Sequence, residues 1–243
     1  MEQHLKLSAT NGTPLENPST YRRLIGRLIY LTITRPDITY SVHNLSQFMH
    51  TPLQPYYNAA LRLLRYLKGT PGKGILLPST GSLHLTGYCD SDWASCPMTR
   101  RSTSGYITML GSCPISWKTK KQVTVARSSC EVEYRSMALL CCELVWLKTL
   151  LQDLHISHSE PITLHCDNKA ALHIATNPVF HERTKHIELD CHFVRDKITD
   201  GLIKPSYMPT DNQLADLFTK ALGKDRLLLL LGKLGMYDIH APT

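Results

Sequence analysis

The spacing of apolar residues changes character once along the chain. As far as about residue 68 it is helical. Leu24, Leu28 and Leu31 recur at four- and three-residue steps within Tyr21–Leu31, and Leu61, Leu64 and Leu67 form one stripe of Asn58–Leu67. Arg62, Arg65 and Lys68 form a second stripe on that helix, readable either as a solvated face or as a face for a nucleic-acid backbone. Between the two segments the TRPDI turn around Pro36 ends one helix, and Asp37 is placed to cap the next. A Gly-, Pro- and Ser-rich stretch over Lys68–Ser82 then breaks the pattern.

Beyond that break a period of two takes over. Leu83–Asp90 puts Leu83, Leu85, Gly87 and Cys89 on one face and His84, Thr86, Tyr88 and Asp90 on the other. Ser102–Leu110 and Pro114–Trp117 predict two more strands joined by a turn at Gly111. A long helix is predicted over Ser129–Asp153, with Met137, Leu140, Leu144, Leu147 and Leu151 inward. Ile162–Cys166 is a short strand, followed by a helix that starts at Asp167 or Asn168. A helix over Thr184–Thr199, a strand over Leu202–Met208 and a helix over Thr210–Lys220, capped by Thr210 or Asp211, complete the order. Pro205 cannot donate to a ladder, so the last strand belongs at a sheet edge. Three antiparallel strands followed by strand–helix alternation predict an α/β fold, a mixed sheet with helices packed on it, behind a small helical leader.

Composition narrows the class further. With 243 residues, 42% hydrophobic and 19% charged, the chain is long and apolar enough for a sizeable core. A formal charge of +7 admits a polyanionic partner without establishing one. No run approaches the roughly 18 apolar residues of a membrane helix. The densest, Leu227–Leu231, is flanked by Arg226 and Lys233. The first residues lack a signal-peptide core, so the expectation is a soluble intracellular protein with no membrane partner, cytoplasmic or nuclear. None of the eight cysteines forms a C-x2-C pair, and His181, His186 and His192 near Cys191 match no zinc spacing. The thiols are expected to be free.

Acidic residues fall at element ends. Asp90 ends the first predicted strand of the sheet, Glu133 sits in the first turn of the long helix, Asp167 follows the fourth strand, and Asp216 lies in the helix after the fifth. If the first and fourth strands are neighbours, Asp90 and Asp167 meet, and the two helix starts add Glu133 and Asp216. Four converging carboxylates repel unless a divalent cation neutralises them. Oxygen-only ligation suits Mg²⁺ or Mn²⁺. Two such ions about 4 Å apart activate water and stabilise the leaving oxygen in phosphodiester hydrolysis. Singly, each acid has an ordinary account as a cap or a dipole partner. Only the combination is specific.

Six stretches in this order, GYCDSDWA (Gly87–Ala94), RRSTSGYITMLG (Arg100–Gly111), ISWKTKKQVTVARSSCEVEY (Ile115–Tyr134), LHCDNKAAL (Leu164–Leu172), FHERTKHIELDCHFVRD (Phe180–Asp196) and MPTDNQLADLFTK (Met208–Lys220), resemble the ribonuclease H domain of copia-type LTR retrotransposon Pol polyproteins. Upstream, YRRLIGRLIYLTITRPDI (Tyr21–Ile38) and LRYLKGT (Leu64–Thr70) resemble the end of the reverse transcriptase in the same polyproteins. The resemblance implies a ribonuclease H-like five-stranded mixed sheet flanked by helices over residues 82–223. It makes residues 1–80 a helical, thumb- or connection-like remnant of reverse transcriptase, and leaves 224–243 as a tail. It also implies an endoribonuclease that cuts the RNA strand of RNA–DNA hybrids with two Mg²⁺ ions, Mn²⁺ serving as well, and the polymerase portion as a further partner.

The family's four acids match Asp90, Glu133 (in preference to Glu131), Asp167 and Asp216, all both catalytic and metal-binding. Asp92 falls past the strand end and reads as a turn residue. Nucleic-acid contacts are expected from Arg100, Arg101, Lys118, Lys120 and Lys121, with Trp117, Arg62 and Arg65 in support, and from Ser129 and Asn168 beside the 2′-hydroxyl. There are departures. The histidine loop of cellular ribonucleases H is compressed to Pro209-Thr210-Asp211, Cys130 stands where Thr is expected, Val132 where Ala is, and Lys169 where Gln is. None removes a carboxylate. The polymerase YxDD aspartates, protease and integrase do not appear, so this chain alone is not expected to polymerise. The competing reading is a non-catalytic remnant that only binds nucleic acid or has no selected role.

Overall fold

Pro18 fixes the first turn of α1 (Pro18–Leu31), and the Asn17 side chain accepts the Ser19 amide to cap it. The structure, a computed structural model, describes residues 7, 12–177 and 188–240. With α2 (Thr39–Ser46) and α3 (Gln54–Lys68), α1 encloses a cluster that includes Tyr21, Ile25, Ile38, Leu45 and Tyr56, all essentially inaccessible. Each such aliphatic side chain contributes about 1.5–3 kcal/mol by leaving water. Asp37 does not cap α2. Its carboxylate is fully buried against the Arg35 guanidinium at 2.7 Å and accepts the Tyr66 hydroxyl, also at 2.7 Å. The ion pair removes the cap because a carboxylate that deep requires a full counter-charge.

The sheet has the order β4-β3-β2-β5-β6. Its strands are β2 (Leu85–Asp92), β3 (Thr103–Leu110), β4 (Cys113–Lys121), β5 (Ile162–Cys166) and β6 (Ile203–Tyr207). β2 runs antiparallel to β3 and parallel to β5, and β5 runs parallel to β6, which gives the five-stranded mixed sheet of a ribonuclease H-like fold. Pro205 does lie on an edge strand. α4 covers Ser129–Asp153, and its inward residues Met137, Leu140 and Leu144 are fully buried on one face of the sheet with Leu85, Leu164 and Ile203. α5 (Lys169–Thr176) and α6 (Glu188–Thr199) extend that layer. Residues 178–187, where the helix expected from Thr184 would begin and where His181 and His186 fall, lie outside the described residues.

Two close approaches depend on glycine. A Cβ at Gly87 would stand 2.9 Å from Leu140, and one at Gly105 would stand 2.7 Å from Phe218 and Thr219. The first lets α4 sit down on β2, and the second brings the chain after β6 against β3.

That chain is not the α-helix expected over Thr210–Lys220. It forms two 3₁₀ turns, Thr210–Asn212 and Leu214–Phe218, separated by an extended Gln213. The Gln213 side chain is fully buried, donates to the Cys89 carbonyl at 3.0 Å and accepts the Ala215 amide at 3.2 Å. This tie to β2 holds the turn open where a helix would have continued.

Residues 224–240 are not a loose tail. α7 (Lys224–Lys233) buries Leu230 and Leu231, which with Leu234 cluster with Ile107 and Met109 on the second face of the sheet and with Phe218 of the preceding 3₁₀ turn. β7 (Met236–Asp238) pairs antiparallel with β1 (Lys73–Ile75), so one small ladder crosses both boundaries drawn from the sequence, at residues 80 and 223. Among the described residues no helix is long and apolar enough to cross a membrane.

Candidate active site

The parallel pairing of β2 with β5 ends at Tyr88↔His165, whose rings stack with centroids 4.6 Å apart. Two residues farther on come Asp90, still within β2, and Asp167, just past the end of β5, close enough for their charges to interact. β2 itself continues through Asp92, paired with Thr103, so Asp92 is a strand residue rather than part of a turn. Asp90 is only 1% exposed.

Glu133 arrives from α4. That helix starts with a cap in which Ser128 Oγ accepts the Glu131 amide at 3.2 Å, while Glu131 reaches back to the Arg127 amide at 2.9 Å and forward to Arg135 at 3.0 Å. Glu131 is therefore committed to the helix start. Glu133, two residues on, accepts the Ser91 amide through Oε1 at 3.2 Å, while its Oε2 is buried with no hydrogen-bond partner. Asp216 comes from the Leu214–Phe218 turn, held by Arg226 at 3.1 Å.

Lys220 links two of these acids. Its ammonium lies 2.8 Å from Asp216 and 3.1 Å from Asp90. Asp90 also accepts the Thr219 hydroxyl, and Asp167 accepts the Thr210 hydroxyl at 2.9 Å. Burial pushes the Asp90 carboxyl up to about 6; Lys220 and Thr219 oppose that rise, and Asp216 and Asp167 add to it. Burial also raises Glu133 well above the carboxylate range, with Asp90, Cys166 and Asp167 pushing the same way. For Lys220 burial works against the charge, but Asp90 and Asp216 outweigh it and hold the ammonium above the ordinary lysine range.

All four acids thus occupy one neighbourhood, divided in two. Asp90 and Asp216 share Lys220. Glu133 and Asp167, with the Cys166 thiol, place one potential ligand atom each within 4.8 Å of one another. A buried carboxylate oxygen without a partner, among oxygen donors of like charge, is the environment that a hard divalent cation satisfies.

The other predicted residues divide as well. Arg100 and Arg101 are exposed in the loop that enters β3, and Lys120 and Lys121 pair with Ser104 and Thr103, at the acids' end of the sheet. Lys118 stands farther along, opposite Tyr106. Lys121 is engaged within the fold, donating to Gln47 at 3.0 Å and to Cys96. Trp117 is tied to the fold away from the acids: its indole N–H donates to the Thr32 carbonyl at 2.9 Å and its partly buried ring lines the groove between α2 and β4. Arg62 and Arg65 lie on the exposed face of α3. Asn168 caps α5 by accepting the Ala171 amide at 3.0 Å, which leaves its amide N–H₂ for other partners, and Ser129 is exposed at the start of α4. Lys220, Thr219, Thr210 and Arg226 are site residues that the sequence does not mark as such, Thr210 reading there only as a helix cap. The one available signal was the four-residue spacing of Asp216 and Lys220.

No protein-family model matches the chain. It is 45% identical over 234 residues, 96% of its length, to the retrovirus-related Pol polyprotein from transposon RE2 of Arabidopsis thaliana, and 46% identical over 231 residues to that from transposon RE1 of the same plant. It spans only 16% of the length of either polyprotein. Among solved structures, the N-terminal RNase H domain of a Mycobacterium tuberculosis protein overlaps 62% of this chain and 98% of its own, at 13% identity and a TM-score of 0.39. Likeness at that level says nothing about chemistry. The sequence identity, sustained along nearly the whole chain, shows that it belongs to the retrovirus-related Pol polyproteins of copia-type transposons.

Proposed function

We propose that the chain is a ribonuclease H module, an endonuclease that hydrolyses the RNA strand of RNA–DNA hybrids. The observation that supports this best is the meeting of Asp90, Glu133, Asp167 and Asp216 at one end of the sheet, with Glu133 Oε2 buried and unpartnered. These four carboxylates would hold two Mg²⁺ or Mn²⁺ ions, which when bound supply an activated water and stabilise the leaving oxygen. The protein's own part is orientation. Thr219 fixes Asp90, Thr210 fixes Asp167, the Ser91 amide fixes Glu133, and Arg226 fixes Asp216. Lys220 supplies the positive charge between Asp90 and Asp216 and has to move aside for a cation to take that place.

Arg100, Arg101 and Lys120 neutralise backbone phosphates at the acids' end of the sheet, and the Asn168 amide and the Ser129 hydroxyl reach the 2′-hydroxyl side of the RNA strand. Residues 1–80 are the end of a reverse transcriptase, and the polymerase portion of the polyprotein is the natural partner of their exposed surface. The module works inside the cell.

Cleavage of a labelled RNA–DNA hybrid, with Mg²⁺ and then with EDTA, tests the reading. Metal-dependent cutting of the RNA strand alone is the expected result. A chain that folds and binds the hybrid without cutting it selects the other reading, a remnant that holds nucleic acid only.

A further inference from the structure

The Glu133 side of the site contains a sulfur. Cys166 is the last residue of β5, immediately before Asp167, and is fully buried. Its Sγ, a Glu133 carboxylate oxygen and an Asp167 carboxylate oxygen all lie within 4.8 Å of one another. The thiol's polar contacts are weak: it accepts the Asn168 amide at 3.4 Å, points its S–H toward the Asn168 carbonyl at 4.0 Å and meets the Cys89 thiol in the next strand. A magnesium ion does not take a thiolate, whereas zinc does, and softness rather than geometry separates the two.

A second observation points at a ligand independently of the cluster itself. Glu133 is only 6% exposed, and its Oε2 has no hydrogen-bond partner. A polar atom so deeply buried calls for a partner, and a cation held beside the thiol would supply one. Zinc binds Cys sulfur at about 2.3 Å and carboxylate oxygen at about 2.0–2.2 Å, so tetrahedral ligands stand roughly 3.5 Å apart. Binding therefore has to draw the ligand atoms together from their present spacing of up to 4.8 Å, and Asp167, only partly buried, has the most room to move.

We propose that Cys166, Glu133 and Asp167 form a binding site for zinc or another thiophilic divalent ion, overlapping the carboxylate pair used by hard cations. It rests on the proposed metal-binding role of Glu133 and Asp167 and adds a thiolate to it. On binding, the S–H bond of Cys166 breaks, its proton passes to solvent, and the sulfur's electron pair forms the bond to the metal. No oxidant or reductant is involved. Because the soft ion holds both carboxylates through a ligand magnesium cannot use, it competes with magnesium there and is displaced only at large excess.

Cobalt(II) titration of the purified, reduced chain tests this. One equivalent should produce a near-ultraviolet thiolate-to-cobalt charge-transfer band, and zinc should abolish the band stoichiometrically. Cys166→Ser, checked for fold by circular dichroism, should lose the band and bind zinc at least tenfold more weakly. Cys142→Ser, at an exposed position of α4, should keep the band. Manganese binding, followed in parallel by water-proton relaxation, separates the two readings. Manganese binding without a thiolate band, or a band that survives Cys166→Ser, overturns the thiolate site and leaves the carboxylate site standing. Failure of both ions to bind removes the metal role of Glu133 and Asp167 and this proposal with it. Should both variants unfold, a band that appears in the wild-type chain and is erased by Glu133→Gln still supports the site, and one indifferent to that change overturns it.

Discussion

The Lys220 ammonium lies 2.8 Å from the Asp216 carboxylate four residues earlier in the chain, and the same ammonium reaches Asp90. It acts as an internal cation where acidic side chains converge. Breaking a buried charge pair from one side typically costs about 3–5 kcal/mol, because the remaining charge has no partner. Lys220 is partly exposed, so Lys220→Met should cost about 3 kcal/mol, at the low end. For a chain of this size that lowers Tm by roughly 6–12 °C. Circular-dichroism melts in EDTA measure it, and added Mg²⁺ or Mn²⁺ should restore most of the loss by substituting for the ammonium. An unchanged Tm in EDTA would show that Lys220 is not the counter-charge.

Asp167 carries the cleanest test of the acids. It is only partly buried, and its protein contact is the Thr210 hydroxyl, which can donate to an amide oxygen equally well. Asp167→Asn should leave Tm within a degree or two and hybrid affinity within about twofold. Cleavage should fall at least about 100-fold, the equivalent of losing roughly 3 kcal/mol of transition-state stabilisation. Cleavage at the wild-type rate would take Asp167 out of the site.

The parts of this fold that were legible in the sequence are those fixed by local pattern. α4 and β5 fall where periodicity puts them, Ser129–Asp153 and Ile162–Cys166, because long amphipathic or strictly alternating segments leave one face to bury. The four acids are legible because each falls at or near an element end and matches an acid of the family that the chain resembles. What was not legible depends on distant partners. The chain around Asp216 has helix-forming residues, but Gln213 answers to the Cys89 carbonyl across the fold and breaks the helix. Asp37 looks like a cap until Arg35 and Tyr66 close on it, and Trp117 looks like a stacking platform until Thr32 supplies an acceptor. The five-leucine run looks like part of a tail because nothing local reveals that Ile107 and Phe218 await it.

Arg100 and Arg101 stand exposed beside the strand end that carries Asp90 and Asp92. Each phosphate contact releases counterions and contributes slightly under one to the slope of log K against log salt. The double change Arg100→Ala with Arg101→Ala should therefore reduce that slope by up to about 2 and weaken hybrid binding most at low salt. Fluorescence anisotropy across a salt series gives the slope directly. A slope identical to wild type would move both arginines off the substrate path.

His43 makes stability depend on pH at the contact between α2 and β4. It lines the groove with Trp117 and Lys118, and its Nε2 is buried without a hydrogen-bond partner. Burial, and then the Lys121 ammonium, lower its pKa to about 4. Unfolded, the same ring titrates near 6.5. Between those two values the unfolded chain holds more protons, so stability rises with pH across that window. The contribution is therefore complete above about pH 6.5 and is lost as pH falls toward 4, by up to about 3 kcal/mol. Replacing the ring removes this titration while leaving every carboxylate in place. Urea midpoints for wild type and His43→Gln, taken from pH 7 down to pH 4, should converge as the wild type loses the advantage of a neutral buried imidazole. Curves that descend in parallel would mean that His43 already carries its proton in the folded chain, with water reaching the groove between α2 and β4.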